Sequence, residues 1–192
     1  MQSRSASVQR KTRETDISVE LCLDGGAVSV ESGIGFFDHM LTALAVHGGL
    51  GLRLRCQGDL QVDGHHTVED CGIVLGQALA RALGDKAGII RYGEARIPMD
   101  ESLAEAAADI SGRSFLVFRA VFSQDRIGTF DSCLCEEFFR AFAVHAGITL
   151  HIGLPCGGNA HHEAEAIFKA AAHALRQALA PRPGVLSTKG SI

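Results

Sequence analysis

Two short runs hold side chains whose types and spacing could do chemistry. They are His65-His66-Thr67-Val68-Glu69-Asp70 and His161-His162-Glu163-Ala164-Glu165. Each pairs adjacent histidines with a later glutamate, all metal-ligand types. If a helix begins at the His pair, the first His and the Glu lie at i and i+4 on one face. The second His then points about 100° away around the axis. Histidines placed this way serve two different ions, or one ion shared with another surface. A single copy would read most simply as a solvated, His-rich helix start. Two copies at matched places in a longer repeat favour metal. Neither run contains Cys.

The elements that must carry these runs follow from periodicity. Ile17, Val19, Leu21 and Leu23 alternate with polar residues, as in a half-buried strand. Asp24-Gly25-Gly26 reads as a turn into a return strand through Val28 and Val30. Gly35 to His47 has a helical period, Leu50 to Cys56 alternates again, and Gly58 and Gly64 bracket a short strand. The His65 helix runs to about Leu83, with Leu75, Leu79 and Leu83 as its stripe. The second half repeats the pattern. Glu136 to His145 lies on Asp38 to His47 at an offset of 98, and the His pairs are offset by 96. Ser102 to Ile110 is Ala-rich and has helix propensity. It nevertheless stands in the place of the first half's opening strand, so we expect a strand there, paired with Phe115 to Val121. The expected fold is α+β, a two-layer α/β sandwich of two duplicated ββαβα-like halves at about 12–97 and 98–180. It forms one domain over 1–192, with a tail at 181–192.

Composition narrows the function. A hydrophobic content of 46% and a charged content of 21% are those of an ordinary globular chain. A net charge of -4 gives no general attraction to nucleic acid or anionic membrane, so an anionic ligand must meet locally placed Arg and Lys. No apolar run reaches the roughly 18 residues that span a bilayer. The six cysteines form no CxxC pair, which points to a reducing cytoplasm. Met1 to Arg13, rich in Ser and Arg, reads as a disordered tail.

Asp38-His39-Met40-Leu41, His65 to Asp70, Pro98-Met99-Asp100-Glu101, Asp109-Ile110-Ser111-Gly112-Arg113 and the Asn159-to-Ala170 run resemble imidazoleglycerol-phosphate dehydratase of histidine biosynthesis, in its monofunctional form. The resemblance runs from Thr12-Arg13-Glu14-Thr15 to the final Ser-Thr-Lys-Gly. It implies a fold like domain 2 of ribosomal protein S5 and a homo-oligomer of trimers assembled to a 24-mer, with active sites at subunit interfaces. It also implies two Mn²⁺ ions per site. The implied ligands are His39, His65, His66, Glu69, His161, His162 and Glu165, and Glu137 stands where the family usually has His. The phosphate would meet Arg91, Arg113, Ser187, Thr188 and Lys189, His47 would line the substrate, and Glu14 matches the family's acid/base glutamate. Gly64 stands where the family commonly has Asp, a second departure that would remove a partner of a ligand His.

The implied reaction removes water from a glycerol chain attached to imidazole. No carbonyl acidifies the carbon that loses its proton, so the ring must act as electron sink. A metal on a ring nitrogen favours the imidazolate. Loss of the hydroxyl beside the ring then gives a diazafulvene-type intermediate, and deprotonation of the next carbon gives the enol of the ketone. A metal-dependent hydrolase is a rival reading, although no HExxH helix is present. A metal-storage oligomer is another, and it leaves Glu14, Arg113 and the 187–189 tail without a shared purpose. Outside these sets, His145, His151 and His173 read as structural, and Glu101 as a site-shaping or interface residue.

Overall fold

In the computed structural model, which describes residues 4–188, the chain forms two similar halves that meet helix to helix. The first half comprises β1 (Ser5–Lys11), β2 (Thr15–Cys22), β3 (Val28–Glu31), α1 (Gly35–Gly48), β4 (Gly51–Gly58) and α2 (His65–Leu83). The second comprises β5 (Tyr92–Met99), β6 (Ser102–Asp109), β7 (Phe115–Arg119), the small pair β8 (Arg126–Ile127) and β9 (Phe130–Asp131), α3 (Leu134–Ala146), β10 (Thr149–Cys156) and α4 (Ala160–Leu179). Each half is a two-layer sandwich. Its strand orders are β1-β2-β4-β3 and β5-β6-β10-β7. Across the middle, α2 packs on α3 and α1 on α4.

The strands are amphipathic as the sequence requires. Ile17, Val19 and Leu21 of β2 and Leu52 and Leu54 of β4 are buried beneath Phe37, Met40 and Leu41 of α1 and Leu75 and Leu79 of α2. The Ala-rich segment 102–109 is a strand, with Ala104, Ala106 and Ala108 facing inward. Small residues are needed there because α4 lies close to its sheet. A Cβ on Gly93 of β5 would fall 1.9 Å from the Ala174 carbonyl oxygen of α4. Gly93→Ala should therefore force strand and helix apart and cost about 1–3 kcal/mol or more. Thermal unfolding checks this, and a melting temperature equal to the parent's would show that the contact is not tight. The other helix pair is equally close: a Cβ on Gly72 or Gly76 of α2 would lie 2.7 Å from the carbonyl oxygens of Phe138 and Phe142 on α3.

Five expectations about the elements and their grouping are corrected. Residues 5–11 are an edge strand, not a disordered tail, and pair antiparallel with β2 from Ser5↔Cys22 to Lys11↔Asp16. The strand through Val28 and Val30 does not return beside β2. It pairs parallel with β4 on the sheet's far edge, because Gly25 and Gly26, at φ 94° and 144°, carry the chain over the end of β4 against Gly51. Likewise Phe115–Arg119 pairs parallel with β10, not with β6. Between Gly58 and Gly64 the chain turns and forms no strand. Because β5 pairs with β6 throughout Tyr92–Met99, the second half starts before the boundary placed at 97/98, and each half is βββαβα. The β3–α1–β4 and β7–α3–β10 crossovers supply the parallel pairs, which a hairpin cannot make.

Candidate metal centre

Both histidine runs open a helix. α2 starts at His65 after Asp63, whose Oδ1 accepts from the His65 N–H at 2.8 Å. α4 starts at Ala160, and the Oδ1 of its N-cap residue Asn159 accepts from the His161 N–H at 3.0 Å. Asp63 and Asn159 are repeat equivalents at the offset of 96, so both runs are held by the same capping device. The start of α1 is fixed differently: Asp38 Oδ1 accepts from the Ser32 N–H at 2.8 Å, which anchors the turn carrying His39.

α1 runs beside α4 and brings His39 to the second run. The Nε2 atoms of His39 and His161 each lie 3.3 Å from Glu165 Oε2. One ligand atom from each of the three lies within 4.8 Å of the others. Glu165 is largely buried, and its second oxygen takes Lys169 Nζ at 2.6 Å. Burial pushes its carboxyl up, but the Lys169 and His39 hydrogen bonds outweigh that and hold it below the usual range. An anionic oxygen thus faces two imidazole nitrogens at a helix start, the donor set of an N/O metal. Phe36 stands edge-on to His161, with ring centroids 5.1 Å apart, and walls the group on one side.

The first-half run is less complete within one chain. His65 Nε2 lies 3.7 Å from Glu69 Oε2 and both are partly exposed. His66 turns Nδ1 to Asp59 at 3.0 Å and Nε2 to Glu14 at 3.8 Å. The Asp59 hydrogen bond raises the His66 pKa, aided by the charge of Glu14. Asp59 thus gives His66 a carboxylate partner at Nδ1, whereas a side chain at Gly64 would head towards Ile34 and Leu134. Glu137 lies on α3, which packs against α2, and meets Arg140 Nε of its own helix at 3.8 Å. Among the described residues it belongs to no three-ligand group. The second group that does form is Asp100, Glu101 and His162. His162 turns Nδ1 to Glu101 at 3.1 Å, and that hydrogen bond raises its pKa.

Arg91 and Arg113, expected at the phosphate, meet at one carboxylate. Asp109 accepts from Arg91 Nε at 2.7 Å and from Arg113 Nη2 at 3.2 Å. Arg91 also donates from Nη1 to the Leu186 carbonyl at 2.8 Å, which brings the segment leading to Ser187 and Thr188 against it. Arg91 is nearly buried and has φ 78°, a left-handed backbone that a side chain adopts only where its surroundings impose it. Lys189 lies outside the described residues. His47 Nδ1 sits 3.3 Å from His173 Nε2, further along the α1–α4 groove, and burial followed by the charge of Lys169 lowers its pKa. Sequence reasoning missed Asp59, Asp109 and Lys169, single charged residues outside the repeated pattern. A hint existed for Asp59: it is the polar residue that leaves β4 just ahead of the His run.

Fold and site together define a duplicated α+β protein that presents paired imidazole–carboxylate groups at the starts of two equivalent helices. Residues 32–175 match the family described as imidazoleglycerol-phosphate dehydratase. Imidazoleglycerol-phosphate dehydratase of Cereibacter sphaeroides is 56% identical over 194 residues, covering 98% of this chain and 100% of that protein. The Gluconobacter oxydans enzyme of that name is 57% identical, covering 98% of each. The crystal structure of the dehydratase from Staphylococcus aureus superposes with a TM-score of 0.85 at 45% identity, covering 93% of this chain and 99% of that one. A Pyrococcus furiosus structure gives 0.85 at 37% identity, covering 96% and 100%. The chain belongs to the imidazoleglycerol-phosphate dehydratase family, and it is a hydro-lyase of histidine biosynthesis.

Proposed function

We propose that this chain converts D-erythro-imidazole-glycerol phosphate to imidazole-acetol phosphate with two Mn²⁺ ions per active site, in sites completed between subunits of a 24-mer built from trimers. The carrying observation is the His39–His161–Glu165 group, three N/O donors from both halves gathered within 4.8 Å. That donor set fits manganese, which accepts imidazole and carboxylate together. A bound ion there would polarise the substrate's ring as a Lewis acid. The same reading assigns His65, His66, Glu69, Glu137 and His162 to the remaining coordination. The half-exposed His65–Glu69 pair suits completion by a neighbouring copy.

The chain's own groups do the rest. Arg91 and Arg113 bind the phosphate with forked hydrogen bonds, with Ser187, Thr188 and Lys189 beside them, and so present the ring in one orientation. The hydroxyl on the carbon beside the ring leaves with its bonding electrons and, with the proton that the ring nitrogen gives up, departs as water, leaving a diazafulvene-type intermediate. Glu14 takes the proton from the neighbouring carbon, the electron pair returns to the ring, a ring nitrogen regains a proton, and the enol so formed tautomerises to the ketone. Among the described residues no helix is long and apolar enough to cross a membrane, and the reading places the enzyme in the cytoplasm. Incubation with Mn²⁺ and imidazoleglycerol phosphate tests it. Imidazole-acetol phosphate is the expected product, and tight Mn²⁺ binding without product would favour metal storage. Arg113→Ala should raise KM about 10- to 100-fold, from the loss of its charge-assisted contact with the phosphate, with kcat changed less. Steady-state kinetics check it, and an unchanged KM removes Arg113 from the phosphate site.

A further inference from the structure

The duplication reaches beyond the His runs to the tips of two hairpins. The β2–β4 and β6–β10 pairings start at Cys22↔Gly51 and Asp109↔Thr149, so β6 lies on β2 at an offset of 87. Ser102 is then the counterpart of Thr15, and Glu101 is the counterpart of Glu14. Each glutamate stands at its hairpin turn beside the second histidine of its half, Glu14 by His66 and Glu101 by His162. Their contacts differ in one respect. Glu14 faces Nε2 of His66, whose Nδ1 is already held by both oxygens of Asp59, at 3.0 and 3.2 Å. Glu101 instead takes Nδ1 of His162 with both of its own oxygens, at 3.1 and 3.2 Å.

The loop that follows each inner strand explains the exchange. Asp59 follows β4 directly. In the second half β10 carries a register shift between Gly153 and Cys156. The counterpart of Asp59 is therefore Gly157 or Gly158, depending on the side of that shift from which one counts. Both are glycines, and neither can carry a side chain. A Cβ on Gly157 would lie 2.3 Å from Glu163 Oε1, and one on Gly158 would lie 3.2 Å from Glu101 Cγ. The second half offers no carboxylate from that loop, and Glu101 fills the space where one would reach.

We propose that Glu101 is a positioning residue, which fixes the His162 ring through Nδ1 so that Nε2 points outward as a metal ligand, the role Asp59 has for His66. This inference rests on the two-metal reading above. A carboxylate on one ring nitrogen sets the tautomer and raises the basicity of the other, and its loss typically weakens metal binding 10- to 100-fold. The two halves thus divide their equivalent glutamates: with Asp59 holding His66, Glu14 is left for proton transfer, whereas Glu101 is committed to orientation.

The test compares the Mn²⁺ stoichiometry and dissociation constants of the assembled enzyme by equilibrium dialysis and metal analysis. The variants are Glu101→Gln, Glu101→Asp, Glu14→Gln and His162→Ala. Glu101→Gln should weaken one of the two ions 10- to 100-fold while leaving the other and the melting temperature unchanged. Glu101→Asp should restore part of the affinity. Glu14→Gln should leave both ions in place despite its equivalent position, and His162→Ala should lose one ion. Parent-like binding in Glu101→Gln, with His162→Ala losing its ion, overturns the role of Glu101 and leaves the metal reading intact. Parent-like binding in His162→Ala overturns both. If Glu101→Gln loses both ions together with its melting temperature, Glu101 is a structural residue and the proposal fails.

Discussion

Glu14→Gln should lower kcat by about 10²- to 10⁴-fold, the range for removing a positioned general acid or base, with both metal ions retained. The size follows from what the site offers. The reacting carbon is a poor acid, so an exchange of proton with bulk water cannot replace a carboxylate held at the substrate. Glu14 is held in place without being buried. Its N–H and that of Thr15 both donate to Thr12 Oγ1, at 3.1 and 3.0 Å, which fixes the hairpin tip. Thr15 donates in turn to the buried Asp70, the last residue of the first His run, and Arg10 of β1 pairs with the same carboxylate. The turn carrying Glu14 is therefore tied to the helix carrying His65 and His66. Gln keeps the shape and loses the proton acceptor, so the rate should fall while the turn and its contacts with the His66 helix stay in place. Loss of metal in step with the loss of rate would make Glu14 a ligand instead.

Much of this site could be read from the chain because the sequence states it twice. The offset of 96 between the His pairs picks out His161 and Glu165 alongside His65 and Glu69, whereas His39, whose repeat counterpart is Glu137, is marked by the family's Asp38-His39-Met40-Leu41 motif. What could not be read has a physical pattern. The outer strands β1 and β5 bury little: Val8 is the one fully buried side chain of β1, and Gly93 the one buried residue of β5. Without alternating large apolar residues neither announces itself as a strand. The parallel pairing of β3 and β7 depends on which edge of the sheet a crossover reaches, and local pattern does not carry that choice. The orienting carboxylates were hidden for a related reason. Asp59 and Glu101 come from different loops, and only the fold shows that they do the same work.

Chelation of the ions should abolish turnover, by at least about a thousandfold if the ring's electron sink depends on them, and the recovery on adding Mn²⁺ should depend on pH in a direction fixed by two histidines. Asp59 raises the pKa of His66, and Glu101 raises that of His162, so in the metal-free protein both rings keep a proton to higher pH than an ordinary histidine. A folded-state pKa above the unfolded value favours the folded apo protein at low pH, and that contribution is lost as pH rises through the raised values. Metal acts in the opposite sense, because each ion must displace a ring proton before it binds. The same carboxylates that ready the neutral rings as ligands therefore make reloading sensitive to acid. Manganese affinity, followed by dialysis between pH 5.5 and 8.5, should rise with pH and release protons as it does so. In Asp59→Asn or Glu101→Gln the pH at which affinity rises should move downward, since the proton loses its partner, even as the affinity at high pH falls. A reloading curve flat across this range would mean that His66 and His162 do not give up protons to metal, and the two ions would have to be sought at other side chains.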